Sequence, residues 1–187
     1  MKPALDDREN FDITVHDTQG SKTFRTKRII SSRGAEPLRG RGTRVFEAVE
    51  LDKDGTPNDL PVVLKDIWID SDRMREGDIL SLLHEAAGAQ DDDKLLFENY
   101  FLTAICHGDV LDGNDIPDDT AKALMRGLVI PSDLKSQFTL QWTSIFPKYA
   151  HKTHYRIVFK EVCETINSLR SLPDVMAVLD ETVSGAS

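Results

Sequence analysis

Apolar and polar residues alternate along several segments of the chain with the two-residue repeat of β-strands. Such a repeat places alternate side chains on a buried and an exposed face. Strands are predicted in FDITVHD (11–17), around Phe24 with an end near Ile29-Ile30, in RVFEAVEL (44–51), LPVVLKDIWI (60–69), FLTAICHGDV (101–110) and HYRIVFKEV (154–162). Turn signals, with Asp54-Gly55 the clearest, join the early strands. Strands joined by turns this short must pair antiparallel.

Three segments have helical periodicity instead. DSDRMREGDILSLLHEAAG (70–88) predicts a helix with an aspartate or serine cap near its start and Gly88 after its end. KLLFENY (94–100) predicts a short helix capped by the preceding aspartates, and SLPDVMAVLDETVSG (171–185) a helix capped by Ser171. Residues 112–150 form a long irregular insertion with one predicted helix, DDTAKALMRG. The element order predicts an α+β fold.

Composition narrows the class of protein. The 187 residues, 40% hydrophobic and 29% charged, fit an ordinary folded domain. The net charge of −9 disfavours nucleic acid as the main partner. No apolar run approaches the roughly 20 residues that cross a bilayer, so no membrane association is expected. With only Cys106 and Cys163 and no signal-peptide pattern, we expect an intracellular location, cytoplasmic or nuclear, and no structural metal.

Basic residues concentrate in one part of this acidic chain. Residues 22–44 contain eight lysines and arginines and a single acid, Glu36. A basic segment on an acidic protein is typical of a local anion site. A solvated basic strand face explains the same charges equally well.

The segment HGDVLDGN (107–114) has the spacing of a phosphotransferase catalytic loop. His107, Asp109 and Asn114 follow the pattern H-x-D-x-x-x-x-N, in which the Asp orients the acceptor hydroxyl and the Asn holds magnesium. The alternative is a polar segment that matches by coincidence.

Two upstream features have the composition of a nucleotide site. Gly40 and Gly42 lie between two predicted strands, where backbone N–H groups can approach phosphate oxygens without an intervening Cβ. VVLK (62–65) ends in Lys65, as the V-A-I-K strand does in kinases. Each is weak alone, since a tight turn and a solvated lysine are common.

Glu76 is the third feature. At about 100° per residue, it falls within the same helical stripe as Ile79, Leu80, Leu83 and Ala87. A carboxylate on an inward-facing stripe needs a partner, and Lys65 on the preceding strand is the predicted one. A partly exposed glutamate at the helix edge is the alternative.

The ordered set of glycine loop, strand lysine and helix glutamate resembles the small lobe of a protein kinase. In its residue segments, the sequence looks most like the fungal-type protein kinase family. The segments that carry the resemblance are GRGTRVFEA, VVLKDIW, REGDILSLL and HYRIVFKEV followed by SLPDVMAVL. The resemblance implies a protein-kinase-like small lobe, an antiparallel sheet plus one αC-type helix. It also implies a kinase domain over residues 21–187, interrupted by the 112–150 insertion and preceded by a tail and strand at 1–20.

Site residues and cofactors follow from the same resemblance. It implies ATP with Mg²⁺, a phosphate-covering loop formed by Gly40, Gly42 and Thr43, and phosphate binding by Lys65. Glu76 would orient the lysine.

The resemblance also implies that residues 159–163 form the hinge that packs against adenine. Either Phe159 or Lys160 can occupy the gatekeeper position, and the sequence leaves both open.

The sequence departs from the kinase pattern in its loop and in its later motifs. Thr43 replaces the third loop glycine, and no D-F-G occurs in the 187 residues. Asp109 lies too soon after Lys65 to leave room for a hinge and large-lobe helices, so HGDVLDGN is predicted to be a strand end and the start of the insertion. We therefore expect the large lobe and the Mg²⁺ ligands to be essentially absent and the 187-residue chain to be inactive in phosphoryl transfer.

Two other functions remain open from the sequence. A small lobe exposes apolar surface that a large lobe would cover, which favours a pseudokinase-like module that binds a protein partner. The third hypothesis is a small-molecule phosphotransferase that uses Asp109 and Asn114.

Overall fold

The computed structural model describes residues 10–33, 42–88, 91–120, 152–163 and 171–184. Its strands are β1 (Asp12–Asp17), β2 (Gly20–Arg33), β3 (Thr43–Leu51), β4 (Pro57–Asp70), β5 (Ala104–Asp109) and β6 (Lys152–Phe159). Its helices are α1 (Glu76–Ala87), α2 (Asp91–Tyr100) and α3 (Leu172–Ser184). The strands form one sheet in the order β1-β2-β3-β4-β6-β5, and all its pairs are antiparallel. The predicted α+β class is confirmed.

Short turns connect β1 to β2 and β3 to β4, as the sequence predicts. In the turn between β3 and β4, Gly55 has a positive φ of 78°, and its N–H donates to the carbonyl of Asp52 at 3.0 Å. The Asp52 side chain also accepts the Thr56 N–H at 2.8 Å. β2 continues to Arg33, past the predicted end at Ile30, because it pairs with β3 through two register shifts.

The two faces of the sheet carry separate apolar clusters. On one face, eight buried residues pack together: Val15, Phe24, Phe46, Ala48, Val62, Leu64, Cys106 and Val158. On the other face, Ile67, Tyr155, Ile157 and Phe159 form a second cluster, against which Leu80 of α1 packs. Alternation along β4 divides its residues between these faces, so Lys65 and Asp66 point to opposite sides.

The predicted N-terminal cap and apolar stripe of α1 are both wrong. The helix begins at Glu76, after an extended Arg75 that makes no side-chain capping bond, so no Asp or Ser caps it. Ile79 and Leu83 are 42% and 41% exposed, because α1 meets the sheet through its first turn and Leu80. Gly88 follows the helix as predicted, with its N–H bonded to the carbonyl of His84.

The other helices follow the sequence more closely. Ser171 caps α3, and its hydroxyl accepts the N–H of Asp174 at 3.2 Å, as predicted. α2 begins at Asp91, so the aspartates predicted to precede it belong to it. The helix predicted in DDTAKALMRG lies, after its first three residues, outside the described residues. None of the helices in the described ranges is long and apolar enough to cross a membrane.

Candidate functional site

Lys65 lies at the centre of the sheet, on the face covered by α1. It is paired with Val45 of β3 on one side and with Ile157 of β6 on the other. Neighbouring strands hold a central residue by hydrogen bonds on both sides, so its backbone position is well defined. The side chain leaves the sheet next to the cluster that contains Ile157 and Phe159.

Glu76 and Lys65 form the ion pair that the sequence predicts. The Nζ of Lys65 donates to Oε2 of Glu76 at 2.6 Å. The lysine side chain is 26% exposed and the glutamate side chain 43% exposed, so the pair is open to solvent on one side. This matches both the predicted pairing and the alternative of a partly exposed glutamate. A cation held in this way can accept a second anionic partner.

The predicted phosphate-covering loop is described only at its end. Gly40 lies outside the described residues. Gly42 has a φ of 48°, in the left-handed region that glycine tolerates best, and Thr43 is the first residue of β3. Gly42 and Thr43 therefore lie where the chain enters the strand that pairs with Lys65.

The first turn of α1 is attached to β5 and β6. Arg75 makes two parallel hydrogen bonds to the carboxylate of Asp109, at 2.7 and 2.9 Å. The buried N–H of Gly77 donates to the hydroxyl of Tyr155 at 2.9 Å. Burial raises the pKa of that hydroxyl, which stays protonated. Glu76 lies between these two anchored residues.

HGDVLDGN contributes to the sheet, as predicted. His107 and Asp109 belong to β5, and both carboxylate oxygens of Asp109 are bonded to Arg75. Asn114 lies in a turn whose N–H groups bond to the Asp112 side chain. A catalytic Asp needs a free oxygen to accept a proton from a substrate, so this arrangement favours the structural interpretation over the phosphotransferase one.

The predicted hinge begins at the end of β6. Phe159 is the last residue of the strand and is buried, whereas Lys160 is exposed. The N–H of Lys160 donates to the carbonyl of Thr103 at 3.0 Å, and the N–H of Thr103 donates to the Glu161 carboxylate at 2.8 Å. Burial opposes ionisation of Glu161, but the hydrogen bonding to Thr103 and to its own backbone, with the charge of Lys160, outweighs burial and lowers the pKa of the carboxyl.

The face opposite Lys65 contains a buried charged network that the sequence analysis missed. Asp66 bonds to Arg44 at 2.8 Å and to the Nε2 of His154, with Arg156 at 3.7 Å. Burial alone would raise the pKa of Asp66. The bond and charge of His154, followed by the charges of the arginines, outweigh burial and hold that pKa below its usual value. The two-residue repeat of β4 could have indicated this network, because it places Asp66 on the face opposite Lys65.

The network extends beyond Asp66. The other ring nitrogen of His154 lies 3.2 Å from the Asp118 carboxylate, and the ring stacks on Trp68 with centroids 4.6 Å apart. Arg156 donates to the carbonyl of Thr14 at 2.8 Å. Its buried Nε has no hydrogen-bond partner, and burial lowers the pKa of the guanidinium.

Many of the basic residues in the 22–44 segment are already paired with acids. Lys22 contacts Glu50, and Arg25 and Arg28 contact acids of the adjoining strands. Arg44 belongs to the Asp66 network. For these four residues the strand-face interpretation holds. Arg39 and Arg41 lie outside the described residues.

A cleft of about 530 Å³ opens behind α1, away from the ion pair. Residues of α1 and α2 line it, including Leu80, His84, Phe97 and Phe101, and Lys160 lines it as well. Lys65 and Glu76 are not among the described residues that line it. Among the described residues, the candidate site at Lys65 is thus separate from this cleft.

Comparison with known proteins identifies the family. The model of the family described as fungal protein kinase matches residues 3–187. The chain therefore belongs to the fungal protein kinase family, as its sequence suggested. No curated protein and no solved structure matched the chain. The roles in nucleotide binding assigned to Gly40, Gly42, Thr43, Lys65 and Glu76 remain predictions.

Proposed function

We propose that this chain is the ATP-binding small lobe of a protein kinase. The observation that supports the proposal most directly is the 2.6 Å ion pair between Lys65 and Glu76. Protein kinases require such a strand-lysine and helix-glutamate pair for activity, because the lysine contacts the α- and β-phosphates. Membership of the fungal protein kinase family supports the same function.

The residues around Lys65 suit the parts of ATP. Val45 and Val63 lie on the same face as Lys65 and offer an apolar surface to adenine. Gly42, at the start of β3, is placed to approach the phosphates with its backbone. The partly exposed ion pair leaves one side of the lysine open to solvent.

The end of β6 supports one of the two hinge registers. Phe159 is paired with Val63, two residues before Lys65, and so lies on the same face as the lysine. Lys160 is exposed beyond the strand. We assign Phe159 to the gatekeeper position and the following residues to the hinge.

A resident Mg²⁺ ion does not fit the described part of the chain. Within it, no group of three or more His, Cys, Asp or Glu side chains is arranged to hold a metal ion. In kinases the metal ligands are an Asp in D-F-G and an Asn of the catalytic loop. Transfer of the γ-phosphoryl group to a Ser or Thr hydroxyl would require those groups from a large lobe.

Calorimetric titration of the 187-residue chain with ATP tests the proposal. We expect the wild type to bind and Lys65→Met to weaken binding at least about tenfold, because a charge-assisted bond to phosphate is lost. Lys53→Met is the matched control, since Lys53 is an exposed lysine in the β3–β4 turn. Absence of binding by the wild type, or equal loss in both variants, would refute the proposal.

Exposed apolar side chains favour a second function, binding to a protein partner. The helices expose Leu82, Leu95, Tyr100, Leu172 and Met176. Apolar groups in such number on a surface are typical of an interface. Sedimentation velocity over a range of concentrations tests self-association, and a stable monomer throughout would count against a second copy as the partner.

A further inference from the structure

The start of α1 lacks the side-chain cap that most helices have. The first N–H groups of a helix have no partner within it and need another acceptor. Arg75, the residue before α1, makes no capping bond. The acceptor comes instead from β6, where the fully buried Tyr155 binds the N–H of Gly77 from 78 residues away in sequence.

His107 sets how closely this turn approaches the sheet. A Cβ added to Gly77 would lie 2.1 Å from a ring carbon of His107, far inside van der Waals contact. Only glycine allows the helix to pack at this distance, and Gly77 is the buried residue of α1. The ring of His107 therefore defines the height of the first turn above the sheet.

Asp109 fixes the residue before the helix. Its carboxylate binds Arg75 through two parallel bonds, a geometry that restrains direction as well as distance. The two side chains are only 18% and 28% exposed, so water screens the pair less than it would a surface pair. Arg75 also donates to the carbonyl of Arg73 at 3.1 Å, which orders the preceding turn.

We propose that Arg75, Gly77, His107, Asp109 and Tyr155 form a clamp that holds α1 in the position where Glu76 reaches Lys65. Residues 75 and 77 are anchored to different strands, so the backbone of Glu76 between them has little freedom. The clamp residues are positioning residues: they act on the nucleotide site through Glu76. The helix then needs no external partner to adopt the paired state. Its effect on ATP rests on the proposed function.

The clamp also gives the H-G-D segment a role. His107 packs on Gly77 and Asp109 binds Arg75. Gly108 lies against β1, where an added Cβ would be 1.8 Å from the carbonyl oxygen of His16. Each of the three residues makes one structural contact. These contacts explain the residue types of the segment without a role in phosphoryl transfer.

Hydrogen exchange measured by mass spectrometry tests the clamp without any ligand. Asp109→Asn should raise exchange in the first turn of α1 at least about tenfold, while the β2–β3 hairpin stays protected. The charge-exchanged double variant Arg75→Asp/Asp109→Arg should recover part of that protection. Arg73→Gln is the control, since the Arg73 side chain is exposed and contacts Asp70, outside the clamp. Unchanged exchange in Asp109→Asn would overturn the proposal.

ATP affinity in two backgrounds tests whether the clamp acts through Glu76. Asp109→Asn should weaken ATP binding in the wild type but have no further effect in Glu76→Gln. If Asp109 affected ATP binding independently of Glu76, the losses of affinity in the two single variants would add in the double variant. That result would refute the positioning role.

The two proposals can fail separately. If the wild type binds no ATP, the proposed function fails, and hydrogen exchange alone decides whether the clamp exists. If Asp109→Asn loses protection throughout the chain, Tyr155→Phe replaces it, because that variant removes only the bond to Gly77. Local deprotection of α1 in Tyr155→Phe would support the clamp, and none would refute it.

Discussion

Lys65 and Asp66 are neighbours on β4, yet they lie in opposite electrostatic environments. Lys65 points towards α1 and binds one carboxylate, that of Glu76, and both side chains are partly exposed. Asp66 points to the other face, where its side chain is 3% exposed and bonded to Arg44 and His154. One strand therefore presents an accessible charge on one side and a fully enclosed charge on the other.

The difference separates stability from binding. A buried charge is tolerated only when its partners remain, and removing one partner leaves the other uncompensated. A half-exposed pair contributes little to folding because water already solvates both ions. We infer that the Asp66 network stabilises the sheet, and that the Lys65 pair is free to serve a ligand.

The largest expected effect is that of Asp66→Ala on the free energy of unfolding. It leaves Arg44, His154 and Arg156 without their shared anion, so a loss of about 3–5 kcal/mol is expected. Urea unfolding followed by circular dichroism measures it. Asp12→Ala, which breaks an exposed pair with Arg25, is the control and should cost much less. Equal losses would remove the distinction.

Acidification should reveal the same network. The pKa of Asp66 is lowered below its usual 3.8 in the folded state, so its stabilisation is complete above that value. It is lost as the pH falls through the lower folded pKa. Urea midpoints of wild type and Asp66→Asn, measured from about pH 7 to pH 2.5, should therefore converge at the acidic end. A constant difference would show that folding does not lower the pKa of Asp66.

The smallest expected effect on stability is that of Lys65→Met. The pair is part-exposed, so its loss should change the free energy of unfolding by no more than about 1 kcal/mol. The same urea experiment measures this change, and the ATP titration measures the loss of affinity in the same variant. A destabilisation as large as that of Asp66→Ala would make Lys65 structural and erase the contrast within β4.

Local patterns in the sequence predicted much of the sheet and the ion pair. Alternation located β3, β4 and β6, and the combination of a strand lysine with a helix glutamate predicted the contact of Lys65 with Glu76. Both signals are short-range, since strand and helix periods are visible within about ten residues.

The errors concern contacts between distant segments. The sequence did not predict that α1 starts at Glu76, because the acceptor for its first turn, Tyr155, lies on β6, far away in sequence. The Asp66 network joins residues from β3, β4 and β6 with Asp118, and no local pattern identifies that combination. Ile79 and Leu83 matched an apolar stripe, but α1 rests on the sheet mainly by its first turn.

The contact at Gly108 has a consequence for aggregation of the folded chain. β1 and β5 are the two ends of the described six-stranded sheet, and the backbone of Gly108 lies directly against that of His16. Unpaired strand edges recruit strands from other molecules and so promote aggregation. Here each terminal strand shields the other. A side chain at position 108 would separate β1 from β5 and expose both unpaired strand edges at once.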